Sequence, residues 1–285
     1  MHLVESFSVS MDLNTITEVA HPRTRAQLPV WTAGDAWLAG GTWLFSEPQV
    51  HLTRLIDLTD LKWPALTIGE NELTIAATCT VAQLDALACP TEWLAAPVIN
   101  QCCRAFLASF KIWKTATVGG NLCMSLPAGP MIALTAALDG VCTSWKADGS
   151  EQKINVADFV TGNQSNVLTA GDLLRQIDIP FAALKRRAAF RQISLTPTGR
   201  SAALLIGSVN SDGALALTVT ASTARPVQLS FADIPQADEL REAILHRIPD
   251  RLYHNDVHGK PEWRKHMTLR LAQEIRAELQ SPARP

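Results

Sequence analysis

Two periods organise the hydrophobic positions of this chain. "RLIDLT" (54–59) and "LTIGENELTIAATCT" (66–80) read as β-strands, the second folding back at Gly69-Glu70-Asn71 as a hairpin. From 81 to 112 the spacing lengthens, and Leu84, Leu87, Leu94, Val98, Ile99, Phe106 and Phe110 recur as on one face of helical structure. Pro90 and Pro97 interrupt or start segments there. A further helix is predicted over about 130–138, with Pro130 at a first position where its missing N–H costs nothing. Strands follow at about 141–146 and 172–179. "IPFAALKRR" closes this part with a proline and a basic cluster, and a strand opens at "AAFRQISL". "SAALLIGSVNSDGALALTVTAS" then reads as a hairpin turning at Asn210–Gly213. The tail is helical: "ADELREAILHRI" and "EWRKHMTLRLAQEIRAEL" are amphipathic, with Trp263, Met267, Leu271, Ile275 and Leu279 four apart.

Two glycine pairs interrupt the apolar pattern in the same way. "AWLAGGTWLF" (36–45) runs from a strand into Gly40-Gly41, and "TATVGGNLCMSLPAGPMIALTAALDG" (115–140) from a β-branched run into Gly119-Gly120. Each pair fits either a tight turn or a loop whose bare backbone lets a ligand come close. Together, two such loops could hold the two phosphates of a dinucleotide on main-chain amides. Neither is a G-x-G-x-x-G or G-x-x-x-x-G-K-[ST] motif, which counts against a Rossmann or P-loop domain.

At 285 residues, 47% of them apolar, the chain can bury a substantial core in two or three units. A net charge of −2 from interspersed signs argues against a nucleic-acid track. No run approaches the roughly 18 uninterrupted apolar residues of a membrane span, and the opening "MHLVESFSVSMDLN" has no leader-like pattern, so a cytoplasmic protein is expected. The six cysteines lack the spacing of a zinc or iron–sulfur knuckle, and no metal site is expected. His51, His246, His254, His258 and His266 read as solvated surface, and no catalytic acid, base or nucleophile stands out. Eight tryptophans against one tyrosine suggest aromatic anchors on a docking face, although any single one is more readily a core residue.

"LAGGTWLF", "LIDLTDLKWPALTI", "TATVGGNLCMSLPAGPMIALTAALDG" and "LLRQIDIP", in this order and spacing, resemble the FAD-binding medium subunit of the molybdenum hydroxylases, the xanthine dehydrogenase and carbon monoxide dehydrogenase family. "AFRQISLTPTGRSAALL" and "HGKPEWRKHMTLRLAQEI" extend the resemblance through the C-terminal part. It implies an α+β chain with the FAD-binding fold of the vanillyl-alcohol oxidase type. Two α/β subdomains, residues 1–60 and 61–182, would be followed by a C-terminal domain, 188–285, with a three-stranded antiparallel sheet and helices. FAD would lie between the first two units. Leu38, Ala39, Gly40, Gly41, Thr42 and Trp43 would form one side of its site, and Thr117, Gly119, Gly120 and Asn121 the other. Cys79 and Thr80 occupy a turn near the cofactor in the family, and Gln192 the position of a lysine near the flavin. A bulky residue at Gly40 or Gly120 is then expected to abolish FAD retention in a folded chain.

The resemblance also implies a molybdopterin-binding large subunit and a two-iron two-sulfur small subunit as partners. Electrons would pass through this flavin to NAD or oxygen. Three positions depart from the family's pattern: Pro130 stands where an aspartate is usual, Gln192 replaces the lysine, and Arg200 replaces a second aspartate. Two other readings fit the same residues: a stand-alone flavin oxidase or reductase, and a cofactor-free scaffold for the partners.

Overall fold

A computed structural model describes residues 13–281. The leader-free reading rests mainly on residues 1–12, which lie outside this range.

Three sheets of three to five strands and one two-stranded hairpin make up the strand structure of the described residues. Strands β1 (Glu18–Ala20), β2 (Asp35–Leu38) and β3 (Arg54–Asp57) form a parallel sheet of order β1-β3-β2. Its crossovers are loops and single 3-10 turns, so the excursion between β2 and β3 is free to carry a glycine loop. Asp35 is buried beneath this sheet and takes two bonds from the Arg54 guanidinium, at 2.8 and 2.6 Å, which hold its carboxyl below the usual range.

The second sheet is antiparallel. It joins the hairpin β4 (Leu66–Ile68) and β5 (Glu72–Ala76) to β6 (Val141–Trp145), β7 (Glu151–Asn155) and the long β10 (Leu173–Pro180), in the order β4-β5-β10-β6-β7. Between β5 and β6 lie α1 (Val81–Asp85), α2 (Ala96–Ala105), α3 (Phe110–Trp113), α4 (Val118–Met124) and α5 (Pro130–Ala137). The periodic stretch 81–112 is therefore three helices. Pro90 falls in the break between α1 and α2, and Pro97 sits in the first turn of α2, where a proline is tolerated. Every residue of α5 is buried, as its uniformly apolar sequence requires. After β7 come α6 (Val156–Phe159) and the small hairpin β8 (Val160–Gly162) and β9 (Ser165–Asn166).

Helix α7 (Phe181–Leu184) leads into a four-stranded antiparallel sheet: β11 (Arg187–Ile193), β12 (Ala203–Val209), β13 (Leu215–Thr220) and β14 (Val227–Phe231), paired in sequence order. The three strands expected here become four, because β11 pairs with β12 along all seven of its residues, Arg187 to Ile193. Strand β12 is covered on both sides. Leu204 and Ile206 join the core around α5, while Ala203 and Leu205 face the core formed with α8 (Ala237–Arg247) and α9 (Pro261–Gln280). Its unbroken "ALLI" run reflects this double burial. Met267, Leu271, Ile275 and Leu279 of α9 are all buried, as their spacing predicts.

None of the eight tryptophans is exposed. Trp31 stacks on Trp37 with centroids 4.9 Å apart, and Trp63 meets Trp145 edge-on at 5.5 Å. Arg175 lies 4.2 Å from the Trp63 ring and Arg25 4.6 Å from that of Trp145. These four rings cement the seam between the first two sheets, so they are not available as docking anchors.

Candidate functional site

The two glycine segments meet in space, and they do so through the glycines. A Cβ on Gly40 would overlap the carbonyl oxygen of Thr115 and lie 2.7 Å from its carbon. A Cβ on Gly119 would fall 2.5–2.7 Å from the side chain and backbone of Ala77. Both positions are bare because main chain packs on main chain there, and no ligand need be invoked for either. Gly41 is different: its φ of +66° is one that L side chains rarely adopt. Gly120 has only the Thr117 hydroxyl within reach of an added Cβ.

The β-branched run before Gly119 forms no strand. Thr117 is the N-cap of α4, its Oγ1 accepting the Gly120 N–H at 3.0 Å, so Gly119 and Gly120 lie in the first helical turn. This segment is stitched to the end of β5 and the following turn. Val118 donates to the Cys79 carbonyl (2.8 Å), Gly119 to that of Ala77 (3.0 Å), and Asn121 to that of Thr117 (3.0 Å). The amides of residues 118 to 121 are thus all engaged within the protein. Asn121 also spends its side chain, whose Oδ1 accepts the Met131 N–H at 3.1 Å and so caps α5 just beyond the buried Pro130.

The first loop is the opposite case. Among the described residues, no acceptor takes the backbone N–H of Gly40, Gly41, Thr42, Trp43 or Leu44, although all five are only half exposed. They line one side of a cleft of about 880 Å³. Ala39, Thr117, Gly120 and Asn121 line it too, so most of the expected site residues share one concavity. Its other walls include the segment from the end of α2 toward α3, the end of α4 and the loop before α5, the β8–β9 turn with Asn163 and Gln164, and two segments of the C-terminal part, Arg200-Ser201 and His254 to His258.

Five expected site residues do not border this cleft. Leu38 is at the end of β2, with its carbonyl accepting the Leu58 N–H. Cys79 is fully buried, and burial pushes its thiol up to about 12. Thr80 forms a capping box with Gln83 at the start of α1 and pairs with Thr117 across an isolated bridge. Gly119 lies beneath the cleft wall against Ala77. Gln192 donates to the Ser201 hydroxyl at 2.9 Å and lines a separate cavity of about 500 Å³ with residues 193–197. Arg200, by contrast, opens onto the main cleft, with no ion-pair partner among the described residues.

Sequence reading missed the C-terminal wall. His254, expected on the solvated surface, has a side chain only 17% exposed and reaches Asp256 with its Nε2 at 3.4 Å. Burial lowers its pKa, and Asp256 opposes that shift. Asp256 is held in turn by the His258 N–H and by the fully buried Arg264. Burial alone would raise the Asp256 carboxyl, but those bonds and the Arg264 charge hold it below the usual range. Arg264 also donates to the carbonyls of Gly259 (3.0 Å), Ala202 (2.7 Å) and Ala221 (2.6 Å), pinning the 254–259 loop to the sheet. The signal available beforehand was "HNDVHGK", where an aspartate two residues before a histidine suggests an Asx turn.

Among the described residues, no helix is long and apolar enough to cross a membrane, and no His/Cys/Asp/Glu group is arranged to hold a metal. No curated protein sequence matches the chain. Solved structures do. A chain of quinoline 2-oxidoreductase from Pseudomonas putida 86 superposes with a TM-score of 0.74 at 17% identity, over 92% of this chain and 96% of that one. A chain of carbon monoxide dehydrogenase from Oligotropha carboxidovorans gives 0.76 at 19%, over 91% and 97%. The corresponding figures for the Hydrogenophaga pseudoflava carbon monoxide dehydrogenase are 0.74, 15%, 91% and 96%. These likenesses carry the fold. The FAD binding domain in molybdopterin dehydrogenase matches residues 18–182, more than half of the sequence and the part that contains both glycine loops, and the chain therefore belongs to that family of FAD-binding proteins.

Proposed function

We propose that this chain is the flavin-carrying subunit of a multi-subunit molybdenum hydroxylase, relaying electrons from iron–sulfur clusters on a partner to a soluble acceptor. The observation that carries the reading is the run from Gly40 to Leu44, half-exposed residues whose amides have no acceptor among the described residues, along a cleft of about 880 Å³. Such a run suits the diphosphate of a dinucleotide, and the volume falls within the roughly 300–1,000 Å³ of ligand clefts. The residues present therefore fit FAD, with amides of the first loop toward its diphosphate. The second loop already has the amides of residues 118 to 121 engaged within the protein. Its part is to form the floor: Thr117 fixes the start of α4, Gly119 lets that start lie on Ala77, and Asn121 ties it to α5.

Bound FAD would supply a ring that accepts electrons and passes them on, while the protein supplies position and electrostatics. The half-buried Gly41, Thr42 and Trp43 would shield the diphosphate from water, and Asn163, Gln164 and Ser201 offer polar groups to the same cleft. Partners are proposed from the family and from a relative named as a copper- and molybdenum-containing carbon monoxide dehydrogenase. The large subunit would bind molybdopterin and oxidise the organic substrate; the small one would carry two-iron two-sulfur clusters. All six cysteines of this chain are free, and no two sit at knuckle spacing.

Purified chain incubated with FAD and then desalted should keep a flavin spectrum near one equivalent. A colourless chain that remains folded would support the scaffold reading and end this one. For the relay, substrate mixed anaerobically with the lone flavoprotein should leave the oxidised flavin band intact. The band should bleach only after the products of neighbouring genes are restored, and NAD or oxygen added afterwards would then identify the acceptor. Bleaching without partners would establish a stand-alone oxidase instead.

A further inference from the structure

The C-terminal wall of the cleft contains a histidine for which cofactor retention has no use. His254 enters from the segment after Tyr253, its own N–H donating to the Ser222 carbonyl at 2.9 Å. Its imidazole Nε2 lies 3.4 Å from a carboxylate, Asp256, which a fully buried guanidinium fixes from α9. Arg264 bonds at once to the Ala202 carbonyl, two residues beyond Arg200, and to the Gly259 carbonyl, so the two C-terminal segments of the wall move as one body. A sheltered imidazole beside an anchored carboxylate is an arrangement for moving a proton at a defined place.

We infer that His254 takes up a proton when electrons enter the cofactor in this cleft and gives it back when they leave. The inference rests on the FAD reading above. Two electrons from one-electron donors, with one proton bonding to a ring nitrogen, leave a net negative charge on the flavin ring. His254 answers that charge by forming a second N–H bond with a proton from water. On reoxidation the pair would leave either as hydride to nicotinamide dinucleotide, with the imidazole proton returning to water, or to dioxygen together with both protons, as hydrogen peroxide. Two electrons and two protons thus enter and leave together.

The surroundings suit a group that changes charge. Burial lowers the His254 pKa and so favours the neutral imidazole, and Asp256 opposes that shift. A new negative charge nearby favours the imidazolium. The other charged or titratable groups bordering the cleft are Arg200, His258 and Asp256 on the same wall, with Glu47 and Cys123 across from them. Arg264 reaches the wall from α9 but is committed to four acceptors. His254 is thus the histidine of this wall that is partly sheltered and whose ring approaches an anchored carboxylate.

The test is the reduction potential of FAD bound to the full chain, followed against pH by dye-equilibrated photoreduction. Each proton taken up per electron pair contributes about 30 mV per pH unit to the slope of a two-electron couple. Wild-type protein is expected to show two protons per pair on the alkaline side of neutrality, and H254Q one, a loss of about 30 mV per pH unit. H258Q should keep the wild-type slope. Proton uptake by wild type on stoichiometric reduction, read with a pH indicator, serves even if H254Q does not fold; uptake of a single proton would refute the inference. An unchanged slope in H254Q, or its loss in H258Q, would refute it while leaving the FAD assignment standing. Failure of wild type to retain FAD would overturn both.

Discussion

An alanine at Gly40 would place its methyl carbon 2.7 Å from the Thr115 carbonyl carbon and 3.3 Å from the Ala116 Cα. Unstrained carbon contacts lie near 3.5–4.0 Å, so the two segments must part by about 1 Å. Both sides of the contact are backbone, which no rotamer change can relieve. Overpacking of this kind costs about 1–3 kcal/mol, and the rigid partners put Gly40→Ala near the upper end. The lost flexibility of the unfolded chain offsets about 0.4–1 kcal/mol. The net loss is about 2 kcal/mol, or roughly 4–8 °C in Tm for a domain of 150–250 residues. Gly120→Ala meets only the Thr117 hydroxyl, at 2.9 Å, and occupies a helical position, so its change should stay within about 0.5 kcal/mol. Thermal unfolding of both variants without added FAD, followed by flavin retention at a fixed FAD concentration, separates the effects. Gly40→Ala is expected to lose stability and flavin together, which revises the expectation of a normally folded chain with an empty site. Wild-type stability in Gly40→Ala, or a larger loss in Gly120→Ala, would refute the packing argument.

Three further outcomes are expected. Arg264→Met leaves Asp256 and three carbonyls without their buried donor and should cost about 3–5 kcal/mol, measurable by urea unfolding. Asp35 has a folded pKa below its unfolded value of about 3.9. Its contribution is therefore complete above that unfolded value and is lost as pH falls through the lower, folded one, so Asp35→Asn should be less stable than wild type near neutrality and flatten that part of the acid-unfolding curve. Burial raises the thiol pKa of Cys79 and Cys103 to about 12 and that of Cys102 still more clearly, so these three should resist alkylation at pH 8 until the chain is unfolded; rapid labelling of any of them in the folded protein would contradict the packing.

The sequence by itself determined the local elements and the cofactor family. The hairpin at Gly69–Asn71, the buried α5 and the face of α9 follow from periods of two and 3.6, which short-range geometry imposes on any chain. The glycine pairs and their flanks were legible because such loops carry their conformational needs in residue type. What each glycine is for was not legible. An absent Cβ looks the same whether it admits a phosphate or a neighbouring carbonyl, and only packing showed that Gly40 and Gly119 serve the latter. The strand expected before Gly119 became a capped helix start because Thr117 and the Ala77–Cys79 carbonyls took its amides, a choice made by residues about 40 positions away. The C-terminal wall was hidden for a similar reason. Arg264, Asp256 and His254 read as ordinary polar residues of a tail, and they acquire a shared role only when α9 folds across the sheet and a buried guanidinium must find acceptors.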